Sequence, residues 1–222
     1  MEHRINADRE FFGFKLRTRR HYHDDHILKS CLDEELDCYR MPKNPSVVVD
    51  IGANIGCISL VAARRGARVF AFEPASDNFE TLEHNIKINE YDGRVTCINK
   101  GVGKPGETKL YIHPRNSGAT TTFMYEDKGY NEDDSETIDI ISIHDVFMTY
   151  SIKHCDLLKL DCEGSEKDII RDLDDELVSK IGQISLEFHG NKHERAELIN
   201  ILSKWYDGEN TRRYEWTFRK KI

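Results

Sequence analysis

The 222-residue chain lacks three things that would open other readings. It has no run of about 18 apolar residues, and its first ten residues, MEHRINADRE, hold no apolar signal core, so neither a membrane span nor secretion is encoded. Its six cysteines, at 31, 38, 57, 97, 155 and 162, form no CxxC pair, and several stand in apolar runs where a thiol behaves as a small hydrophobe. That usage suits a reducing compartment, and a soluble, cytoplasmic protein is expected. It is also short of positive charge: 32 Lys and Arg against 40 Asp and Glu leave a formal charge of -8, which opposes bulk attraction to a phosphate backbone. Basic residues gather at both ends (Lys15, Arg17, Arg19, Arg20, then Arg212, Arg213, Arg219, Lys220, Lys221) and are read as solubilising termini. No segment repeats.

What is present is a globular composition, 38% hydrophobic and 32% charged, of a length that suits one sizeable domain. From Val47 onward, short β-branched runs alternate with longer amphipathic segments, the pattern of parallel strands joined by crossover helices. Strands are predicted at 47–51, 68–72, 94–99, 107–112, 138–142, 156–160, 183–188 and 213–219. Helices fall between most of them, one over 76–89 with Ser76-Asp77 as its cap. Residues 1–46 are expected to be a helical lead-in, with a helix near 25–37 ended by Pro42 and Pro45, and 47–222 the main domain. The polar stretch 113–136 reads as a long loop of the lid or binding kind.

The segment Val47-Val48-Val49-Asp50 runs into Gly52 and Gly56, a buried strand followed by a glycine turn and a helix. Gly52 lets the backbone pass close to a ligand, and Gly56 lets the helix pack against the sheet. Glu73 ends the second strand, 21 positions after Gly52, where a nucleotide-binding fold places a carboxylate for ribose hydroxyls. The turn reads GxNxG rather than GxGxxG. With Asn54 inside it and Asp50 before it, the turn offers a carboxylate to a ligand ammonium group and would repel pyrophosphate. A nicotinamide dehydrogenase is therefore the weaker reading beside an S-adenosylmethionine enzyme.

The stretches VVVDIGANIG (47–56), VFAFEP (69–74), NSG (116–118), LLKLDCEGSE (157–166) and ISLEFHG (184–190) resemble, in order, the FkbM family of methyltransferases. The resemblance implies an α/β, Rossmann-like class I methyltransferase fold, S-adenosylmethionine as cofactor, and methyl transfer, usually to a hydroxyl of a sugar or natural product. It also implies that Asp50, Gly52, Asn54, Gly56 and Glu73 hold the cofactor, with Asn99, Gly101 and Val102 bordering the adenine. The final hairpin of that fold is in question, since one clear strand follows the helix at 193–205.

Methyl transfer to oxygen needs the oxygen held about 3 Å from the methyl carbon and a base to remove its proton. Asp161, Glu163 and His189 follow predicted strands at the sheet edge where α/β folds bind ligands, and they are the catalytic candidates. His189, with an ordinary pKa of about 6.5, suits the base; Asp161 could instead orient the cofactor. No metal is expected. His21-Tyr22-His23-Asp24-Asp25-His26 matches the HxHxDH pattern of metallohydrolases, but it precedes the glycine turn and runs into a predicted helix start. Two acids at 161 and 163 lack a clear third ligand. The acceptor is read as a small molecule or saccharide, with two alternatives: a nucleic-acid methyltransferase on the same fold, and a non-catalytic module that binds only the cofactor.

Overall fold

The computed structural model describes residues 6–19, 28, 32, 39–113, 120–122, 131, 133–212 and 215–221. Its centre is a seven-stranded sheet. In chain order the sheet takes β3 (Val47–Ile51), β4 (Arg68–Phe72), β5 (Val95–Ile98), β9 (Leu157–Leu160), β10 (Gln183–Glu187), β11 (Tyr206–Asn210) and β12 (Glu215–Lys220). Across the sheet the order is β11-β12-β10-β9-β3-β4-β5. The five strands from β10 to β5 are parallel, and β12 runs antiparallel to both its neighbours.

The parallel strands are apolar along their length because both faces are covered. Alternate side chains enter two separate cores, as the two-residue period of a strand requires. Val49, Ile51, Phe70, Phe72, Leu158 and Leu160 face one core, packed by α3 (Ile143–Thr149), α4 (Glu166–Arg171), α5 (Asp175–Lys180) and α6 (Lys192–Leu202). Val48, Val69, Ala71 and Leu157 face the other, packed by α1 (Cys57–Arg64) and α2 (Ser76–Ile88). Each such Val or Leu contributes about 1.5–3 kcal/mol by leaving water. The chain leaves β3 toward β4 on one side, while β9 lies on its other side. This is the switch point at which α/β sheets open a crevice beyond their strand carboxyl ends.

A small sheet of β6 (Gly101–Val102), β8 (Ser135–Ile141) and β7 (Gly106–Tyr111) stands beside that crevice. Three sequence expectations need correction. The lead-in is not simply helical: β1 (Asn6–Phe11) and β2 (Phe14–Arg19) form an antiparallel hairpin whose Phe14 and Leu16 are buried in the α1/α2 core. The carboxamides of Asn85 on α2 and of Asn89 at its C-terminal cap bond to the backbone of Arg17 and Lys15 in that hairpin. The C-terminal hairpin does form, although β11 reads Tyr-Asp-Gly-Glu-Asn and buries only Tyr206, whose hydroxyl donates to the Ile181 carbonyl at 3.1 Å. Ser76 is not the cap of α2. Ala75 holds that position, and the Ser76 amide and hydroxyl both donate to Glu136.

Of the helix expected near 25–37, Leu28 and Leu32 are helical and buried; its other residues, the His21–His26 segment and residues 116–118 lie outside the described residues. Strand β3 is entered through one carboxylate. Asp156 Oδ2 accepts from the Ser46 amide and hydroxyl and from the Val47 amide at 2.6–2.9 Å.

Candidate active site

The glycine turn follows β3 with Gly52 at φ +75°, Asn54 at φ +51° and Gly56 at φ +93°. At Gly52 the requirement is absolute: a Cβ there would lie 1.8 Å from the carbonyl oxygen of Asp161. The turn therefore touches the end of β9 backbone to backbone. Gly56 packs instead toward α2, where a Cβ would meet Leu82 at 2.7 Å.

Asp50 departs from its expected role. Its side chain is 0% exposed, accepts from Ser59 Oγ at 2.7 Å, and sits 3.1 Å from Lys159 Nζ. A carboxylate so enclosed is not offered to a ligand ammonium; it supports the turn from behind. Glu73, at the end of β4, does line the crevice. Its Oε2 accepts from the Asn54 amide at 2.8 Å, and its Oε1 accepts from the Ala75 amide and Asn78 Nδ2. Burial raises its pKa, opposed by those hydrogen bonds. Asn99 donates to the carbonyls of Glu73 and Pro74, bracing this corner from outside the lining, whereas Gly101 and Val102 form part of the wall.

The cavity between these groups measures about 330 Å³, within the roughly 300–1,000 Å³ usual for small-molecule sites. Leu110, Val102, Ile138 and Ile140 give it an apolar side. Its other end is acidic, holding Asp161, Glu163, Glu187 and Glu215 around His189. The structure thus brings all three catalytic candidates together. Asp161 Oδ2 accepts from the hydroxyl of Tyr39 at 2.8 Å. Glu163 adopts φ +51° immediately before Gly164, and its Oε2 lies 3.6 Å from His189 Nε2. Glu166, 1% exposed, accepts from the amides of Cys162 and Gly164 and pairs with His189 Nδ1 at 3.0 Å.

Electrostatics reassign the roles within this group. Burial pulls the His189 imidazole down, but the hydrogen bond and charge of Glu166, joined by Glu163 and Asp161, outweigh it and push the pKa up to about 10. An imidazolium has no lone pair to accept a proton, which weighs against His189 as a near-neutral base and leaves Glu163 beside it as the other candidate. Burial pushes Glu163 up to about 8, with His189 pulling it back and Asp161, Glu166 and Glu187 adding to the rise. Asp161, Glu187 and His189 each bring a ligand atom within 4.8 Å of the other two, a set that leaves out Glu163, the acid paired with Asp161 in the sequence. As it stands, the charged His189 ring joins these acids through its own ion pairs.

Several site residues escaped the sequence reading. Lys159 carried a signal: like Asp50, it is a lone charge in an apolar strand, and the two are register partners across β3 and β9. Tyr39, Glu166 and Glu215 carried none that distinguishes them from ordinary surface residues.

Residues 50–214 match the family description "Methyltransferase FkbM domain". The chain belongs to the FkbM methyltransferase family. Among curated relatives, it is 28% identical over 186 residues to Methyltransferase 1 of Beauveria bassiana, covering 74% of each chain. It is 30% identical over 182 residues to 31-O-demethyl-FK506 methyltransferase FkbM of Streptomyces tacrolimicus, covering 70% of each. To hexuronic acid methyltransferase AglP of Haloferax volcanii it is 27% identical over 158 residues, covering 71% of this chain and 62% of that one. The crystal structure of Methyltransferase FkbM from Methylobacillus flagellatus KT superposes with a TM-score of 0.54 at 20% identity, over 86% of this chain and 47% of the other, so this chain spans about half the length of that one.

For an FkbM methyltransferase the fold is the Rossmann-like class I α/β fold, and S-adenosylmethionine is the methyl donor. The lining fits that cofactor. A buried carboxylate stands at the end of β4, an apolar slot lies beside it, and the far end carries negative charge suited to a sulfonium. Among the described residues, no helix is long and apolar enough to cross a membrane.

Proposed function

We propose that this FkbM methyltransferase transfers its methyl group to a hydroxyl oxygen of a saccharide, glycolipid or secondary metabolite. The observation that carries this reading is the acidic end of the cavity. A hydroxyl must lose a proton as it attacks, and carboxylates are what this end is rich in. The names of the Streptomyces and Haloferax relatives, a methyltransferase of 31-O-demethyl-FK506 and one of hexuronic acid, agree with it.

Bound S-adenosylmethionine supplies a methyl group activated by its sulfonium. In this reading Glu73 accepts from the ribose hydroxyls, Gly52 and Asn54 present the turn, and Gly101 and Val102 border the adenine. Asp50, Gly56 and Asn99 shape those walls without contact. Asp161, aligned by Tyr39, orients the acceptor hydroxyl, and Glu163 takes its proton. The sulfonium would supply both the methyl carbon and the leaving group, so the proton held by Glu163 is the one this chain must manage. His189 remains protonated and keeps the carboxylate of Glu163 accessible as a base. Residues 47–222 act as one methyltransferase unit, with Phe14 and Leu16 of the lead-in packed into its α1/α2 core, in the cytoplasm, a location supported by the buried free thiols Cys57 and Cys155.

Calorimetry with S-adenosylmethionine, its demethylated product and NAD tests the cofactor pocket; binding of NAD alone would overturn it. Incubation with methyl-labelled cofactor and a panel of uronic acids, glycolipids and macrolides tests the acceptor, with the expected product an O-methyl ether. Label found on nitrogen or carbon, or transferred only to tRNA in a salt-sensitive manner, rejects the hydroxyl reading.

A further inference from the structure

Lys159 is a cation inside the sheet. It sits in the strand Leu157-Leu158-Lys159-Leu160, whose leucines are fully buried, and is itself 3% exposed. Its Nζ donates to the carbonyl of Gly52 at 2.6 Å and to that of Ile51 at 3.3 Å. It also lies 3.1 Å from Asp50 Oδ1 and 4.0 Å from Asp161 Oδ2. The ring of Tyr39 stands 5.6 Å from the same nitrogen, and the Tyr39 hydroxyl donates to the same Asp161 oxygen.

Neutralising Asp50 does not account for this arrangement, because a buried ion pair stabilises a fold no better than two well-packed apolar residues would. What Lys159 holds beyond Asp50 is specific to the site: two carbonyls of the cofactor turn on one side and the acceptor-facing carboxylate on the other. We propose that Lys159 is a positioning residue, a strut that ties the glycine turn to Asp161 so that the wall holding the donor and the group facing the acceptor move as one. The inference rests on the cofactor pocket described above. It assigns Lys159 no contact with either substrate.

The test separates the strut from the ion pair. Lys159→Met alone leaves Asp50 buried against a missing cation and is expected to unfold readily, so the informative protein is the double variant Asp50→Asn/Lys159→Met, which removes both charges. Melting temperature, S-adenosylmethionine affinity by calorimetry, and amide hydrogen exchange with and without the cofactor are compared between wild type and double variant. In the wild type, the cofactor should slow exchange in 51–55 and 161–163 together. In the double variant, the fold should persist, affinity should fall by about tenfold, and protection should reach 51–55 without 161–163. Wild-type affinity with joint protection in the double variant would overturn the proposal, as would failure of that variant to fold, since Lys159 would then serve the sheet first. A wild type that binds no S-adenosylmethionine would indict the cofactor pocket itself, a separate failure.

Discussion

Glu163 and His189 are the residues at which chemistry and charge meet, and they give opposite expectations for the two candidate bases. If Glu163 takes the proton, it must first be ionised, so turnover should be low at pH 6 and rise through about pH 8. His189→Ala should then retain turnover but move that rise to higher pH, because the imidazolium beside Glu163 favours its ionised form. Were His189 the base, the same variant would be inactive at every pH. The histidine also bears on stability. Its folded pKa of about 10 exceeds the unfolded value of about 6.5, so its contribution is complete below pH 6.5 and is lost as pH rises toward 10. Thermal melts of wild type against His189→Ala across pH 6–10 should converge at the alkaline end. For Glu73, a Glu73→Gln variant should fold with its amide contacts weakened and lose about tenfold or more in S-adenosylmethionine affinity by calorimetry, since an amide replaces one acceptor oxygen with a donor.

At the scale of elements, the buried strands were readable before any coordinates, because apolar β-branched runs of five residues between turn signals have few other homes. The hairpins were not. β11 shows one buried residue in five, and its place is secured by Tyr206 and by pairing with β12, which no local window reveals. The hairpin of β1 and β2 relies on Phe14 and Leu16 meeting α2, some seventy residues onward. Strand β3 is held at its start by Asp156, whose pKa is brought to about 2: burial works against the charge, and donors from Ser46, Val47 and His154 overcome it. Since the unfolded value is about 3.9, this stabilisation is present above pH 4 and lost as pH falls through about 2. Asp156→Ala should cost about 1–3 kcal/mol in chemical denaturation at pH 7 by leaving those donors unpaired, and the deficit should shrink toward pH 2. In the core, Leu160→Ala should cost about 2–5 kcal/mol, with no change in the order of the strands.

Over the whole molecule, the legible part of the site was the part written in short segments: Gly52, Asn54 and Glu73 at their spacings, and Asp161, Glu163 and His189 after their strands. Illegible was whatever depends on strands lying side by side. Gly52 and Lys159 are 107 positions apart in the chain and 2.6 Å apart in space. That single adjacency turned Asp50 from an expected ligand contact into a buried support. The charge state of His189 was hidden for the same reason, since Glu166 lies 23 positions before it and the proton is set by the pair. The lead-in, where no site residue was expected, supplies Tyr39, so Tyr39→Phe should lower turnover more than it lowers melting temperature, a comparison that needs only one acceptor from the panel.

The bare Cα of Gly52 has a further consequence. With main chain resting on main chain between the turn and Asp161, the gap separating donor from acceptor is a property of the scaffold, much as the spacing of two rails belongs to the sleepers beneath them. Exchange of lining side chains away from the acidic end, such as Thr120 or Thr122, should alter which molecule enters and how it is gripped, while the reaction distance stays where the backbone put it. Redesign for a new acceptor has room there. A single methyl group at position 52 would shift both sides of the reaction at once.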